Sequence, residues 1–268
     1  MLQTNDQRNE ILSNCADEDE RRRTEELIRP ILRGRDISRY GYNWANLWLI
    51  ATFPARKYDI EQFPAVKSYL LSFAEPILRD AGFSWVAENH LADYCCQKLS
   101  QTGRYIEISG QRIRLGTEDE KARKKTLNKW FETQDSISYW DDFSKPKILY
   151  PDIMRLPKRI EKMDSYPYFV IDNHNMIPEA TLFMMTGNDI ESIFLFLCSE
   201  IGFFAFSKFY MGPVFDDTGF RYKKEYLVTL PVPHLQCESS LYSEKLATML
   251  NLSPEEISHI NSYKKRLI

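Results

Sequence analysis

Glycine is scarce in this chain, at 10 of 268 residues. Neither Gly-x-Gly-x-x-Gly nor the P-loop pattern Gly-x-x-x-x-Gly-Lys-Ser/Thr occurs. Such loops bring backbone N–H groups against phosphates, so dinucleotide and P-loop nucleotide chemistry has no motif here. His-Glu-x-x-His and Gly-x-Ser-x-Gly are also absent, which removes the familiar zinc-peptidase and serine-hydrolase signatures. There is no glycine loop of the S-adenosylmethionine-binding kind and no Asn-Pro-Pro-Tyr or Asp-Pro-Pro-Tyr quartet. An enzyme that modifies a flipped base needs parts of that kind, and this chain alone lacks them. Cysteine is rare and irregular: Cys15, Cys95, Cys96, Cys198 and Cys237, with no Cys-x-x-Cys. Neither a disulfide framework nor a zinc ribbon is indicated. Residues 1–10, MLQTNDQRNE, hold no apolar signal core, so a reducing, cytoplasmic location is expected. The most apolar run, Ile190 to Phe206, contains Glu191 and Glu200 and falls short of the roughly 20 residues a membrane span needs. It is read as a buried helix, and no membrane partner is expected.

An excess of positive charge is missing too. Lys plus Arg number 35 against 38 Asp plus Glu, a formal net charge of −3. Any attraction to a polyanion must come from local clusters. What the chain has in quantity is apolar and aromatic mass: 43% hydrophobic, with 5 Trp, 15 Tyr and 16 Phe. That suffices for one large core or two modest ones.

Residues 1–24 are polar, with Asp17-Glu18-Asp19-Glu20 followed by Arg21-Arg22-Arg23, and read as a mobile lead-in. Residues 46–53, NLWLIATF, read as a strand. Pro64 opens an apolar-periodic helix reaching toward Gly82, kinked at Pro76. A second helix is expected over 85–99. Gly103, Gly110 and Gly116 punctuate two short pieces, YIEIS and QRIRL, that fit a hairpin. The segments DSISYW, KPKILYPDI and YPYFVIDN read as strands. Residues 189–210 read as one long buried helix, 221–229 as a short helix, and the C-terminal stretch as two small amphipathic helices. Ser253 and Glu256 have capping-box spacing at the second of these. The expected division is 1–24, 25–235 and 236–268.

Metal and catalytic candidates are thin. His90, His174, His234 and His259 are scattered, and His90 with Cys95 misses the i, i+4 spacing of a helical ligand pair. Asp119-Glu120-Lys121, with Asp93 upstream, loosely resembles metal-dependent nuclease spacing, but it lies in a solvated charged run. Asp141 and Asp142 are neighbours, suited to a turn rather than to paired acid–base work. Arg33, Arg35 and Asp36 fit either a structural ion pair or a backbone contact to a partner. No catalytic residue and no metal ligand is assigned.

Basic residues interleave with aromatics in three places. The first holds Arg112, Arg114, Lys121, Arg123, Lys124, Lys125, Lys129 and Trp130. The second holds Lys145, Lys147, Arg155, Lys158, Arg159 and Lys162. The third is Arg221, Tyr222, Lys223 and Lys224. Lys and Arg neutralise phosphates, and Arg also reads base edges. The bland alternative is three ordinary solvated faces.

Seven segments occur in one order: RPILRGRDISRY (29–40), NLWLIATFP (46–54), FPAVKSYLLSF (63–73), KWFETQDSISYWDDFSKPKILYPDI (129–153), TGNDIESIFLFLCSEIGFFAF (186–206), RYKKEYLVTLPVP (221–233) and LNLSPEEISHI (250–260). As a set they resemble the C-terminal target recognition, or specificity, domain of type IIG restriction–modification enzymes. They are also similar to TaqI-methyltransferase-like adenine-specific DNA methyltransferases. The resemblance spans residues 27–260. It implies an α+β fold built on a mixed β-sheet, with a long buried helix and small C-terminal helices, akin to the specificity subunit of type I restriction systems. It also implies a sequence-specific double-stranded DNA reader without catalysis of its own. The partner would be an adenine-specific methyltransferase catalytic domain, in cis or in trans. S-adenosylmethionine would belong to that partner, and no cofactor to this chain. Residues 89–128 look longer than the family's link and could be a variable reading segment.

On that footing Arg112, Arg114, Arg155 and Arg159 are expected base readers. Lys124, Lys125, Lys129, Lys145, Lys223 and Lys224 are expected phosphate contacts. Arg155 and Arg159 should project from a loop beyond a sheet. Trp44, Trp48, Phe53, Trp130 and Phe131 are expected to serve the core. The alternatives are a detached specificity subunit or interaction module docking a methyltransferase, and a cryptic metal-dependent nuclease.

Overall fold

The computed structural model describes residues 2–72, 99–100, 103–108, 111–115, 129, 131–133, 135–211, 219–235 and 237–267, with backbone alone between 99 and 115. The fold is α+β. It forms two compact units, Met1–Arg29 with Asn46–Trp140, and Pro30–Ala45 with Asp141–Ile268. The chain therefore leaves the first unit, visits the second, and returns.

After β1 (Leu2–Gln3), α1 (Asn5–Ser13) starts at a reciprocal capping box between Thr4 and Gln7. Helix α2 (Glu18–Leu27) is capped by the Asp17 side chain, which accepts from the Glu20 N–H. Its first turn carries Glu18, Asp19 and Glu20, where the helix's positive end favours carboxylates. Residues 2–24 are thus largely helical and packed within the first unit, not a mobile lead-in. Ile11, Leu12 and Leu27 are buried, and Glu20 is only 3% exposed. The Glu20 carboxylate accepts from the backbone N–H groups of Ala16 and Ala65, each at 2.8 Å. The dense charge of this segment masked a narrow apolar stripe and a carboxylate that pins two backbone groups.

Strand β2 (Ile28–Leu32) carries the chain into the second unit. There β3 (Ile37–Ser38) and β4 (Gly41–Tyr42) form a hairpin turned by Arg39 and Tyr40. The chain returns through β5 (Trp48–Ile50), antiparallel to β1, and α3 (Pro64–Ser72), with proline at its first position. Strands β6 (Leu99–Ser100), β7 (Gly103–Ile108) and β8 (Gln111–Leu115) make an antiparallel sheet with β7 central. The hairpin expected from the glycine punctuation is there. The expected continuation of α3 to Gly82 and most of the helix over 85–99 lie outside the described residues. Ile11, Leu27, Ile28, Ile50, Phe63, Val66 and Phe131 make this unit's core. Phe53 is buried as expected, whereas Trp44 and Trp48 are half-buried.

Residues 135–140 form no strand among the described residues. Asp135, Ser136 and Ser138 are exposed polar residues, and no neighbouring strand offers them a ladder. A 3-10 turn over Trp140–Ser144 follows, with Asp141 and Asp142 in it, as their adjacency suggested.

In the second unit β9 (Lys147–Pro151) is the middle strand of an antiparallel sheet, flanked by β11 (Val170–Asp172) and β13 (Leu182–Met185). Between β9 and β11 lies β10 (Ile153–Arg155). Strand β12 (Ile177–Pro178) runs parallel to the end of β2. The expected single helix over 189–210 is broken into α4 (Ile190–Cys198) and α5 (Glu200–Ala205), the latter running on into a π-helical turn at Phe206–Tyr210. The break lies at Ser199, and the two halves bend by 73°. Ser199 is extended; its hydroxyl accepts from the Gly202 N–H at 2.9 Å and donates to the Phe196 carbonyl at 2.7 Å. A Cβ on Gly202 would collide with that same carbonyl, so the tight corner requires glycine. A hydrophobic pattern cannot reveal such a corner, because both halves are equally apolar.

Strand β14 (Gly219–Arg221) precedes α6 (Lys224–Leu227), α7 (Tyr242–Met249) and α8 (Pro254–Tyr263). The Ser253–Glu256 capping box forms as the spacing predicts. Tyr242, Leu246 and Tyr263 enter the same core as Tyr166, Phe203, Phe206 and Phe220. Residues 236–268 are therefore part of the second unit and not a separate tail. Among the described residues no single helix is long and apolar enough to cross a membrane.

Candidate nucleic-acid interface

Among the described residues, strands β10 and β14 form a two-stranded antiparallel ladder. Ile153 faces Arg221, Met154 faces Phe220, and Arg155 faces Gly219. Side chains alternate across a strand, and directly opposed residues share a face. Met154 and Phe220 are buried, and the Phe220 ring stands 5.3 Å from that of Phe203. Their inward anchoring fixes the outward face, which carries Ile153, Arg155 and Arg221. Gly219 puts no side chain across from Arg155. The two arginines are diagonal neighbours, roughly 7–8 Å apart along such a ladder. The second and third basic clusters thus meet within one unit.

Asp152, the residue between β9 and β10, holds the far end of the ladder. Its backbone carbonyl accepts from the Tyr222 N–H at 2.8 Å. Its Oδ2 accepts from Arg221 Nε at 3.1 Å. Just beyond, Lys223 is the N-cap residue of α6 and ion-pairs with Glu225 at 3.2 Å; Lys224, the first helical residue, is exposed. At the other end Arg155 is a strand residue, not the loop residue expected. Its carbonyl accepts from the Tyr168 hydroxyl at 3.4 Å. Arg159 does lie in the loop, exposed, at the start of a 3-10 turn over Ile160–Ser165.

The other candidates are spread out. Lys145 is exposed and ion-paired with Asp142 at 2.7 Å, a hydrogen bond that pushes its pKa up. Lys129 belongs to the first unit, with its ammonium 5.7 Å from the Phe131 ring centre. Arg112 and Arg114 occupy alternate positions on β8, opposite Glu107 and Tyr105 of β7, also in the first unit. Lys124 and Lys125 lie outside the described residues, as does Trp130. Arg33 ion-pairs with Asp36 at 2.7 Å, the structural pair expected of these two residues, while Arg35 is exposed. Burial opposes ionisation of Asp36, but hydrogen bonds from the Arg33 side chain and backbone outweigh it and lower its pKa.

Two cations that spacing alone did not single out hold the loop carrying Arg159. Arg39, in the β3–β4 turn, donates to the carbonyls of Asp164 at 2.6 Å, Tyr166 at 2.8 Å and Cys198 at 2.7 Å. Lys264, 3% exposed, donates to the Tyr166 carbonyl at 3.0 Å and pairs with Glu200 at 2.6 Å. Burial lowers the Lys264 pKa, against the pull of Glu200. Below them the Tyr166 and Tyr222 hydroxyls meet at 3.1 Å, both pushed up by burial. No sequence pattern marks these residues, because each acts on carbonyls far away in the chain.

No group of three or more His, Cys, Asp or Glu among the described residues could hold a metal. His174 Nδ1 meets the Tyr42 hydroxyl at 3.0 Å, and His234 lies 3.3 Å from Asp189. Burial raises the Cys198 pKa to about 12, so that thiol is no nucleophile. His90, Asp93, Cys95, Cys96, Asp119, Glu120 and Lys121 lie outside the described residues. No protein-family model matches the chain, and no curated protein matches it.

Proposed function

We propose that this chain is a sequence-specific reader of double-stranded DNA, the target recognition module of a type IIG restriction–modification or adenine-specific methyltransferase protein. The observation that carries the reading is the β10–β14 ladder. Two arginines share its outer face, and Lys223, Lys224 and Arg159 follow its strands. A two-stranded ribbon is slim enough to enter a major groove, and its buried inner face keeps the arginines at fixed spacing. The ordered set of segments resembling specificity domains points the same way.

The module performs no chemistry itself. Catalysis falls to an adenine-specific methyltransferase domain, in cis or as a separate partner. S-adenosylmethionine would belong to that domain. No step is routed through the cofactor in this chain. A reducing cytoplasm suits the free thiols of Cys15, Cys198 and Cys237.

Fluorescence polarisation on a random duplex tests the reading. With about six phosphates contacted, affinity falls about 10³-fold between 50 and 200 mM salt. Lys224→Ala weakens every sequence alike, whereas Arg155→Ala relaxes sequence choice. No binding at 50 mM salt, or a flat salt response, refutes the proposal.

A further inference from the structure

We infer that Arg221 is a specificity-determining residue, a guanine reader held in aim by Asp152. This rests on the DNA-reading role proposed above and names the side chain that does the reading. Arg221 is 40% exposed at its side chain, on a strand whose neighbour Phe220 is locked in the core. Asp152 engages it through Nε alone, and the carboxylate is mostly buried, at 22% exposure. Among the described residues nothing bonds the two terminal guanidinium nitrogens.

That geometry differs from a closed ion pair. A purely structural Arg–Asp pair gains most from two parallel bonds, through both carboxylate oxygens. Here Asp152 Oδ1 is buried with no partner among the described residues, a group that is unfavourable to leave unmade. One oxygen instead fixes the plane of the guanidinium, leaving its distal edge open. That edge is the pair of donors that matches guanine O6 and N7. Asp152 also holds Tyr222 through its backbone carbonyl at 2.8 Å. Strand and side chain of the reader are therefore fixed by the same residue, so little rotamer freedom is lost on binding. The ligand class is a duplex presenting guanine in its major groove.

The experiment selects binding sites from a randomised duplex library at low salt, using the full chain. The wild-type chain is expected to enrich a site with at least one fixed guanine. Replacing that guanine by 7-deazaguanine, which lacks the N7 acceptor, lowers wild-type affinity tenfold or more. Arg221→Lys keeps the charge but loses the fork; it retains binding to random duplex and loses preference at that position. Asp152→Asn keeps the shape, frees the aim of Arg221, and weakens the same preference. If Arg221→Lys enriches the same site as wild type, the inference falls while the DNA-reading role stands. If the wild-type chain binds no duplex at all, both fall. If Arg221→Lys does not fold, the 7-deazaguanine substitution on wild-type protein decides: unchanged affinity at every fixed guanine overturns the inference.

Discussion

Lys147 and Asp172 stand opposite each other on β9 and β11, both fully buried, with 2.6 Å between Nζ and Oδ2. Changing one partner leaves a buried charge unmatched, and such losses run to about 3–5 kcal/mol. Without Lys147, Asp172 still accepts from the N–H groups of His174 at 3.0 Å and Met176 at 2.9 Å, and from the Tyr42 hydroxyl at 3.3 Å. Without the Asp172 charge, Lys147 still donates to the Phe143 carbonyl at 2.8 Å, one of its contacts. Either single change, Asp172→Asn or Lys147→Met, is therefore expected to cost about 4 kcal/mol. The double variant Lys147→Met with Asp172→Asn recovers part of the loss, because no charge remains to be buried. Urea titration followed by near-ultraviolet circular dichroism measures all three. On heating, the Asp172→Asn loss corresponds to a Tm roughly 10 °C lower for a unit of this size. Asp172→Asn costing less than about 1 kcal/mol refutes the reasoning. So does a double variant as unstable as the sum of the singles, which would mean no coupling across the pair.

Ser253→Ala removes the α8 cap, whose hydroxyl accepts from the Glu256 N–H at 3.2 Å. It lowers stability by about 1 kcal/mol, read as a shift in the urea midpoint, and Ser253→Asp restores it; an unchanged midpoint would refute the role. Asp36→Asn removes the partner of Arg33. The folded-state pKa of Asp36 lies below its ordinary 3.8, so the pair's contribution is complete at neutral pH. It is lost as pH falls through 3.8 toward the lower folded value. The stability difference between wild type and Asp36→Asn should accordingly shrink on acidification, and a difference that grows in acid contradicts the assignment.

Local chemistry was readable in this sequence; distant partnership was not. The Ser253–Glu256 box, the β7–β8 hairpin and the apolar content of 190–206 each follow from residues within a few positions of one another. The corner at Ser199 did not, because it depends on a hydroxyl bridging two peptide groups inside a uniformly apolar run. The expected strand over 135–140 failed for the converse reason: aromatic content suggested it, but a strand exists only where another supplies its hydrogen bonds. The first 24 residues misled by composition. Seven acidic or basic side chains in a row, residues 17–23, conceal that Glu20 turns inward to cap other backbone groups. At the candidate interface, a basic neighbourhood marks Arg155 in the sequence, and Arg221 stands out there only as one of a cluster. What raises Arg221 above that cluster is Asp152, whose nearness depends on a pairing between residues some seventy positions apart.

A chain with net charge −3 can still present cations to a polyanion if its ion pairs are of two kinds. Lys147–Asp172 and Lys264–Glu200 are short, with lysines almost wholly buried, and phosphate cannot reach them. They serve the fold. Lys145–Asp142 and Lys223–Glu225 are exposed, and pairs of that sort contribute at most about 1 kcal/mol, screened further by salt. In the proposed complex, phosphate displaces those carboxylates at little expense, with counterion release favouring binding. Arg221–Asp152 falls between the two. Its carboxylate is too buried to be displaced, and its guanidinium too exposed to be sealed. A pair built that way does little for stability that a better-closed pair would not do more fully. Its asymmetry makes physical sense when a third group, arriving from solvent, completes the hydrogen bonding of the arginine.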